Sequence, residues 1–388
     1  MNQPSKMSRR GFFGRSFAGS AGLAFVGVPW LEAARQYVDA PAIRNVRGVG
    51  VDDPALVQLS LNENPLGPSR RAIEEVAKRM FGMNRYPVHI KLEQALAKHH
   101  DVEPEMVLTG VGSTEVLNMM TLAAFHDRDG NTVTAFPSYP YVPQKTEELG
   151  RQVKKVALTA DWAMDLEAMA RAIDDETRIV FVCNPNNPTG QLLDPVELRK
   201  FLEAVPRDVI ACVDEAYIHF VDEPDYPSAI PLTKELPNVL VTRTFSKAYG
   251  LGGARVGYGV ANPELLKKLA RFGLGFLNKN ALSIAAALGA LTDPEHVART
   301  VEVANRGKAY LYQKLEAMGY KPLRSQTIFI PVEVGPDVET FIELLKEQKV
   351  AVRQAFDMDG YMRVSVGLPR ENEAFVGELS KLAKRDRS

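Results

Sequence analysis

The stretch Ile179–Gly190, which reads IVFVCNPNNPTG, is the part of the sequence that indicates the fold. Its first five residues are all apolar, as in strands that are buried on both faces of a parallel sheet. A polar, proline-rich segment follows at once, at the carboxyl end of the strand, where open α/β sheets bind their ligands. The sequence therefore predicts an α/β fold with a site at the end of this strand.

Four other β-rich runs, most of them apolar, also end in a polar or glycine-rich motif. The runs and their motifs are Met106–Thr109 with Gly110–Thr114, Asn131–Phe136 with Pro137–Pro140, Val209–Val213 with Asp214–Tyr217, and Val239–Thr244 with Phe245–Lys247. Helical patterns lie between the runs, and Asp194 followed by Pro195 is typical of a helix start. Because parallel strands end at the same edge of a sheet, we expect the five motifs to converge on one site.

The pattern changes after about Phe276, where helical periodicity dominates. The predicted helices are Ala281–Leu291, Ala304–Met318 and Val338–Gln348, and the predicted short strands lie near Ile328–Val334 and Tyr361–Val366. This mixture predicts a second, smaller α+β domain.

The composition excludes several classes of protein. The chain has 388 residues, with 47 basic and 48 acidic side chains and a net charge of −1, so bulk positive charge does not favour nucleic-acid binding. Cys183 and Cys212 both lie in apolar runs and are predicted to be buried free thiols. The six histidines show no spacing typical of a metal site.

The first thirty residues resemble an export signal. Lys6, Arg9, Arg10 and Arg15 precede an uncharged run, Ser16–Val28, that is too short and glycine-rich for a stable membrane span. The sequence SRRGFF at positions 8–13 resembles the twin-arginine signal. We therefore expect export to the periplasm by the twin-arginine machinery. The alternative is a frayed basic tail on a cytoplasmic protein.

The convergent motifs contain groups that suit a phosphate and a carbonyl compound. Gly110–Thr114 precedes a predicted helix, and backbone N–H groups at such a start bind phosphate, although an ordinary helix-start turn has the same pattern. Ser246 and Arg255 offer further donors. Lys247, if desolvated at the sheet edge, is a carbonyl-reactive amine, and the alternative is a solvated surface lysine. Asp214 either caps a turn or supplies a fixed anion.

Three of these segments together resemble the fold-type I aminotransferases that use pyridoxal phosphate. They are Asn184–Gly190 (NPNNPTG), Asp214–Tyr217 (DEAY) and Phe245–Arg255 (FSKAYGLGGAR). Leu61–Pro65 (LNENP) and Asn84–Pro87 (NRYP) are similar to the histidinol-phosphate aminotransferase branch. The resemblance runs from about Gln58 to the C-terminus.

The resemblance implies a fold, a cofactor and an assembly. The fold is a large domain around a mainly parallel seven-stranded sheet, with a small α+β C-terminal domain. The implied divisions are a signal peptide and linker at 1–40, an arm and part of the small domain at 41–84, the large domain at 85–275, and the small domain at 276–388. The cofactor is pyridoxal 5'-phosphate, and the assembly is a homodimer whose active sites are shared.

The resemblance also assigns roles to single residues. Lys247 would carry the cofactor covalently and move the substrate proton, while Asp214 would keep the pyridine nitrogen protonated. Tyr217 and Asn187 would bind the ring hydroxyl, and Tyr139 would stack on the ring. The phosphate would be held by Gly112, Ser113, Thr114, Ser246 and Arg255, and by Tyr86 of the partner subunit. Arg363 and Arg353 would bind the substrate's anionic group, with Asn187 beside them.

The substrate is predicted from departures from the histidinol-phosphate branch. The segment Ala42–Val51 lacks the tyrosine usual there, Ile328 stands where the branch often has Asn, and Arg271–Asn280 has an unusual sequence. An exported enzyme would also not meet a cytoplasmic phosphate ester. We therefore expect transamination between an amino acid, aromatic or of broad range, and a 2-oxo acid, with histidinol phosphate as the alternative substrate.

Two other classes of function remain open from the sequence. A related cofactor-dependent decarboxylase or lyase differs only in which Cα bond lies perpendicular to the ring. A non-catalytic exported protein could keep the fold for binding alone. The sequence leaves the physiological donor and acceptor, the pathway and the cleavage site of the signal open.

Overall fold

The computed structural model describes residues 55–87 and 90–385. The predicted signal and linker at 1–40 and the segment Ala42–Val51 lie outside the described residues. The strands are β1 (Val57–Gln58), β2 (Val107–Gly110), β3 (Asn131–Phe136), β4 (Gln152–Ala157), β5 (Thr177–Cys183), β6 (Ile210–Asp214), β7 (Val239–Thr244), β8 (Gly257–Ala261), β9 (Lys321–Pro322), β10 (Phe329–Glu333), β11 (Val350–Ala351), β12 (Arg353–Gln354) and β13 (Tyr361–Ser365).

The α-helices follow the predicted apolar periodicity. They are α1 (Arg70–Met80), α2 (Ile90–His100), α3 (Ser113–Phe125), α4 (Tyr141–Glu148), α5 (Leu166–Ala172), α6 (Pro195–Ala204), α7 (Pro263–Ala270), α8 (Ala281–Leu291), α9 (Pro294–Ala317), α10 (Val338–Glu347) and α11 (Pro369–Arg385). None of these helices is both long enough and apolar enough to cross a membrane.

The large sheet has seven strands in the order β2-β8-β7-β6-β5-β3-β4. Strands β4, β3, β5, β6 and β7 run parallel to one another, and β8 runs antiparallel to both β7 and β2. The central strands β5, β6 and β7 are almost wholly buried, which explains why each contains a run of at least three consecutive apolar residues. The expected mainly parallel seven-stranded sheet is confirmed.

Strand β4 was not among the strands predicted from the sequence. Its sequence, QVKKVA, alternates apolar and polar residues and carries two lysines, and the strand lies at the edge of the sheet with one partner, β3. Lysines are common on edge strands because they discourage pairing with another chain. The rule that found the buried strands therefore could not find this one.

Two helix starts show how capping sets the boundaries. Asp194 accepts hydrogen bonds from the backbone N–H groups of Val196 and Glu197, which confirms the predicted start of α6. Helix α9 begins ten residues earlier than predicted, at Pro294, because the Asp293 side chain accepts from the backbone N–H of His296. The prediction of a helix that began at Ala304 was wrong at this end.

A second group of strands is formed mainly by the C-terminal part of the chain. Strands β12, β13, β10 and β9 form an antiparallel sheet, and β1 pairs in parallel with β11. Their side chains and those of α9 and α11 share a buried cluster that includes Phe329, Val364 and Phe375, distinct from the core around the large sheet. The α+β character of this part is as expected, and the four chain divisions named above stay predictions.

Candidate active site

The predicted motifs lie beside one another at the carboxyl ends of the central strands. Ser138 donates from Oγ to Asn186 Oδ1 at 2.9 Å, which joins the motif after β3 to the motif after β5. The backbone N–H of Asn184 donates to the Asp214 carbonyl at 3.0 Å, which joins the motifs after β5 and β6. The Tyr139 hydroxyl is hydrogen-bonded to Thr114, in the motif after β2.

A cup of donors lies where β2 meets α3. Helix α3 starts at Ser113, and Gly112 precedes it with φ 73° and ψ 166°, a conformation that is essentially confined to glycine. A Cβ on Gly112 would lie 2.5 Å from Nη2 of Arg255, so the missing side chain is what allows the guanidinium to approach. Free N–H groups at the helix start and an adjacent arginine form a site for an anion such as phosphate.

The Ser246 hydroxyl is oriented by two donors. Thr244 Oγ1 donates to Ser246 Oγ at 2.9 Å, and Arg255 Nη1 donates to the same oxygen at 3.3 Å. Because this oxygen accepts twice, its own proton is left to donate elsewhere. Sequence reasoning missed Thr244, and the signal that could have found it is its position at the last residue of a buried strand.

Asp214 is a buried carboxylate at the end of β6. Thr242, on the neighbouring strand, donates from Oγ1 to Asp214 Oδ1 at 2.8 Å. Burial raises the pKa of Asp214 to about 6, and the nearby Glu215 adds to the increase, while the Thr242 hydrogen bond and the Lys247 ammonium oppose it. A carboxylate in this position favours a bound cation or a protonated ring nitrogen, since either would compensate its buried charge.

Lys247 extends from the segment after β7 toward the chain near β1. Its Nζ donates to the carbonyl oxygens of Leu61 at 3.0 Å and Asn62 at 3.1 Å. Burial, together with the positive charges of Arg363 and Arg255, lowers the pKa of Lys247 to about 8. The amine is therefore largely available as the neutral nucleophile at mildly alkaline pH.

Tyr217 is buried beside Lys247. The Lys247 Nζ lies 5.6 Å from the centroid of the Tyr217 ring, and burial raises the pKa of the phenol, so the hydroxyl keeps its proton. Asn62 donates from Nδ2 to the Tyr217 hydroxyl at 2.9 Å. Asn62 is a second residue to which sequence reasoning gave no role, although it lies in the quoted LNENP segment.

Arg363 is held rigidly on β13 near the same place. Its Nη1 donates to Asn187 Oδ1 at 2.6 Å and its Nη2 to the Ser60 carbonyl at 3.1 Å. The guanidinium carbon lies 5.2 Å from the ring centroid of Phe329 and 5.6 Å from that of Phe356. Among the described residues no acceptor is paired with the buried Arg363 Nε, which suits a site that receives an anion.

Two of the predicted residues, Arg353 and Tyr86, are exposed. Arg353 is exposed on β12, directly opposite Arg363 in the β12–β13 pairing. Burial lowers the pKa of Arg363, and the charge of Arg353 contributes to the decrease. Tyr86 is 73% exposed in the segment after α1, and within the described residues its contact is the hydrogen bond that its carbonyl accepts from Arg79. The other predicted residues are brought together.

The donor set fits pyridoxal phosphate. The cup of Gly112 and Arg255 suits the phosphate, the buried Asp214 suits a protonated pyridine nitrogen, and the Lys247 amine suits the aldehyde. The missing Cβ of Gly112 is the most specific of these features, since it permits the approach of the arginine on which the cup depends.

The site and the fold together define a pyridoxal-phosphate-dependent aminotransferase. The sequence profile described as aminotransferase class I and II matches residues 54–379, and the chain belongs to this family. The expected fold, cofactor and enzyme class are therefore confirmed.

Particular relatives are similar over nearly the whole chain. The chain is 36% identical over 365 residues to histidinol-phosphate aminotransferase 2 of Pseudomonas aeruginosa, covering 92% of this chain and 98% of the relative. It is 38% identical over 357 residues to histidinol-phosphate aminotransferase of Moorella thermoacetica, covering 90% of each. A crystal structure of histidinol-phosphate aminotransferase from Sinorhizobium meliloti in complex with pyridoxal-5'-phosphate shares the fold, with a TM-score of 0.81, 23% identity and coverage of 89% and 97%.

Proposed function

We propose that this aminotransferase takes its amino group from an amino acid, whose carboxylate binds to Arg363, and passes it to a 2-oxo acid. The observation that carries this proposal is the guanidinium of Arg363, which is buried, fixed by Asn187 and Ser60, and has an Nε without a partner among the described residues. An arginine fork of this kind suits a carboxylate, with which it forms two parallel hydrogen bonds.

The side chains divide the chemistry among them. Bound pyridoxal phosphate supplies an electron-accepting ring that makes the Cα proton of an attached amine acidic. The Lys247 amine, whose pKa is lowered to about 8, takes that Cα proton and returns it. Asp214 holds a proton on the ring nitrogen, and Tyr139 packs against the ring face. Asn187 and Tyr217 orient the ring hydroxyl, and Arg363 sets the position of Cα.

The residues of the cup would hold the cofactor by its phosphate when the Lys247 amine acts as the base. The backbone N–H groups of Gly112, Ser113 and Thr114 donate to the phosphate, and Ser246 donates its remaining proton. Arg255 neutralises part of the phosphate charge.

We also propose a homodimer in which Tyr86 reaches the phosphate in the partner's site. Met80, Phe81, Met83 and Tyr86 are each more than half exposed, and several large exposed apolar side chains within seven residues are typical of an interaction surface. Such a dimer gives the exposed tyrosine a place to bind. Mixing Tyr86→Phe subunits with Lys247→Ala subunits tests the sharing, because only heterodimers would contain one site intact in both residues.

Histidinol phosphate is the second candidate substrate. Arg353 lies directly opposite Arg363 on adjacent strands, and residues in register on a sheet project from the same face. A pair of arginines suits a dianion such as a phosphate ester better than a single carboxylate. The names of the two relatives, both histidinol-phosphate aminotransferases, agree with this candidate.

The half-reaction separates the two substrates. Each donor is mixed with the pyridoxal phosphate form of the enzyme, and conversion to the pyridoxamine form is followed by absorbance. For an amino acid donor we expect Arg363→Ala to abolish conversion and Arg353→Ala to change it less than about threefold, as for an exposed charge. Conversion by histidinol phosphate alone, with a large loss in Arg353→Ala, would overturn the amino acid assignment.

We further propose that the chain is exported to the periplasm by the twin-arginine machinery after the cofactor has been bound in the cytoplasm. The support is in the sequence, where Arg9 and Arg10 precede Phe12 and an uncharged run. Cell fractionation tests it. Replacing both Arg9 and Arg10 with lysine should leave the protein in the cytoplasm, and periplasmic recovery of that variant would contradict the proposal.

A further inference from the structure

We propose that Asn62 and Ser365 are positioning residues that fix the direction in which the Tyr217 hydroxyl donates its proton. This inference rests on the proposed contact between Tyr217 and the ring hydroxyl of the cofactor. It assigns a function to a hydrogen-bonded chain that runs from β13 to the residue beside Lys247.

The direction of the chain is set by a backbone amide, which can only donate. The N–H of Asn62 donates to Ser365 Oγ at 2.8 Å, so this oxygen must use its single proton elsewhere. That proton goes to Oδ1 of Asn62, at 3.1 Å. The amide of Asn62 is thereby oriented with Nδ2 toward Tyr217, to which it donates at 2.9 Å.

The Tyr217 hydroxyl therefore acts as an acceptor on the Asn62 side. Its own proton has no acceptor within the part of the chain that the structure describes, so it is left to donate to whatever occupies the site. A donor aimed at the ring oxygen stabilises negative charge there, and the effect is strong because the pair is shielded from water.

The chain is enclosed and its geometry is constrained. Asn62, Ser365 and Tyr217 expose only 2%, 3% and 4% of their surface, so water does not compete for these hydrogen bonds. Asn62 has φ 56°, in the left-handed region that asparagine adopts more readily than most residues. A residue with a different side chain would lose the relay, and most would also strain the backbone.

The same turn contacts both ends of the active site. Arg363 donates to the Ser60 carbonyl, and Lys247 donates to the carbonyls of Leu61 and Asn62. The backbone N–H of Ser365 also donates to the Leu59 carbonyl at 2.8 Å. The position of Asn62 is thus fixed by the two residues that would hold the substrate and the cofactor, which keeps the relay aligned with them.

Cofactor binding provides a test that does not depend on activity. Cofactor-free variants are titrated with pyridoxal phosphate and with 3-deoxypyridoxal phosphate, which lacks the ring hydroxyl. Asn62→Asp reverses the relay, because a carboxylate would accept from both Ser365 and Tyr217 and turn the phenol proton away from the ring. We expect Asn62→Asp, like Tyr217→Phe, to weaken the binding of pyridoxal phosphate about five- to tenfold. The affinity for the analogue should stay the same within about twofold.

Asn62→Gly is the second variant, because glycine tolerates the left-handed conformation and removes only the relay. A loss of about two- to fivefold is expected, again confined to pyridoxal phosphate. Asn64→Ala is the matched control. Asn64 is buried in the same segment and donates to the Ala248 carbonyl and to Thr300, away from Tyr217, so its loss should affect both ligands equally.

The pH at which the visible absorption of the loaded protein changes is the second readout. Removing a donor from the ring oxygen should raise the midpoint by about half to one pH unit in Asn62→Asp, as expected for one hydrogen bond. The relay alone would be overturned if the Asn62 variants bound pyridoxal phosphate and the analogue more weakly by the same factor, while Tyr217→Phe weakened only the binding of pyridoxal phosphate. Equal weakening by Tyr217→Phe itself would overturn the role proposed for Tyr217, and the relay with it.

Discussion

Replacing Gly112 with alanine tests the phosphate cup most severely. Gly112 has φ 73° and ψ 166°, and a residue other than glycine held there costs about 1–3 kcal/mol. The new Cβ would lie 2.5 Å from Nη2 and 3.2 Å from Cζ of Arg255. The guanidinium must therefore shift, which would weaken the hydrogen bonds that its Nη1 donates to Ser246 and to the Gly252 carbonyl and displace the Nη2 that faces the cup.

The affinity for pyridoxal phosphate should fall because a displaced Arg255 would bind the phosphate less well. A hydrogen bond to a charged group is worth about 1.5–3 kcal/mol. Since about 1.4 kcal/mol corresponds to a factor of ten, the dissociation constant of Gly112→Ala should rise about 10- to 100-fold. Backbone strain that the cofactor-free protein does not relieve should appear instead as a lower free energy of unfolding.

Gly253→Ala is the matched control, because a Cβ there meets nothing within 4 Å and the residue has no positive φ. The assay is a titration of each cofactor-free protein with pyridoxal phosphate, followed by absorbance, together with denaturant unfolding. The control should change the dissociation constant less than about twofold. Equal affinity and equal stability of the two variants would refute the close approach of Arg255 to Gly112.

Three further predictions follow from the buried ionisable groups. The rate at which the cofactor-free protein captures pyridoxal phosphate should rise with pH around a midpoint of about 8, the lowered pKa of Lys247, as followed by rapid-mixing absorbance. Above pH 6, Asp214→Asn should raise the free energy of unfolding of the cofactor-free protein by about 2–3 kcal/mol, as measured in urea, since the native pKa of Asp214 is raised from 3.8 to about 6 and its ionised form is buried. Burial lowers the pKa of His100 and His219 from 6.5 to about 3. As the pH falls below 6.5, the free energy of unfolding should therefore decrease by about 1.4 kcal/mol per histidine for each pH unit, and the decrease should be less steep in His219→Asn.

Each of these three has an outcome that contradicts it. A capture rate that keeps rising toward pH 10.5 would mean that the Lys247 amine is solvated. A less stable Asp214→Asn protein above pH 6 would mean that the carboxylate is compensated without the cofactor. An unchanged acid slope in His219→Asn would place its imidazole in contact with water.

The sequence could predict the centre of the large sheet because burial on both faces favours short runs rich in apolar and β-branched residues. Strands β3 and β7 were predicted with their observed bounds, Asn131–Phe136 and Val239–Thr244. The edge strand β4 was not predicted, because its exposed position allows lysines that interrupt the apolar pattern. The start of α9 was predicted too late, because the apolar periodicity of its first ten residues is weak and the helix start is set by the capping side chain of Asp293.

The site residues that end a strand could likewise be predicted, while those that act by orienting a neighbour could not. Asp214 and Lys247 stand in motifs, whereas Thr242 and Ser365 are ordinary strand residues whose importance depends on pairing across the sheet or across the chain. Asn62 is 155 positions from Tyr217 in the sequence, and only folding brings their side chains together.

The most direct test of the central claim is to find which amine holds the cofactor. The protein loaded with pyridoxal phosphate is reduced with borohydride, digested and mapped by mass spectrometry. We expect one modified peptide, with the label on Lys247, and none in Lys247→Ala. A label on any other lysine, with position 247 unmodified, would contradict it.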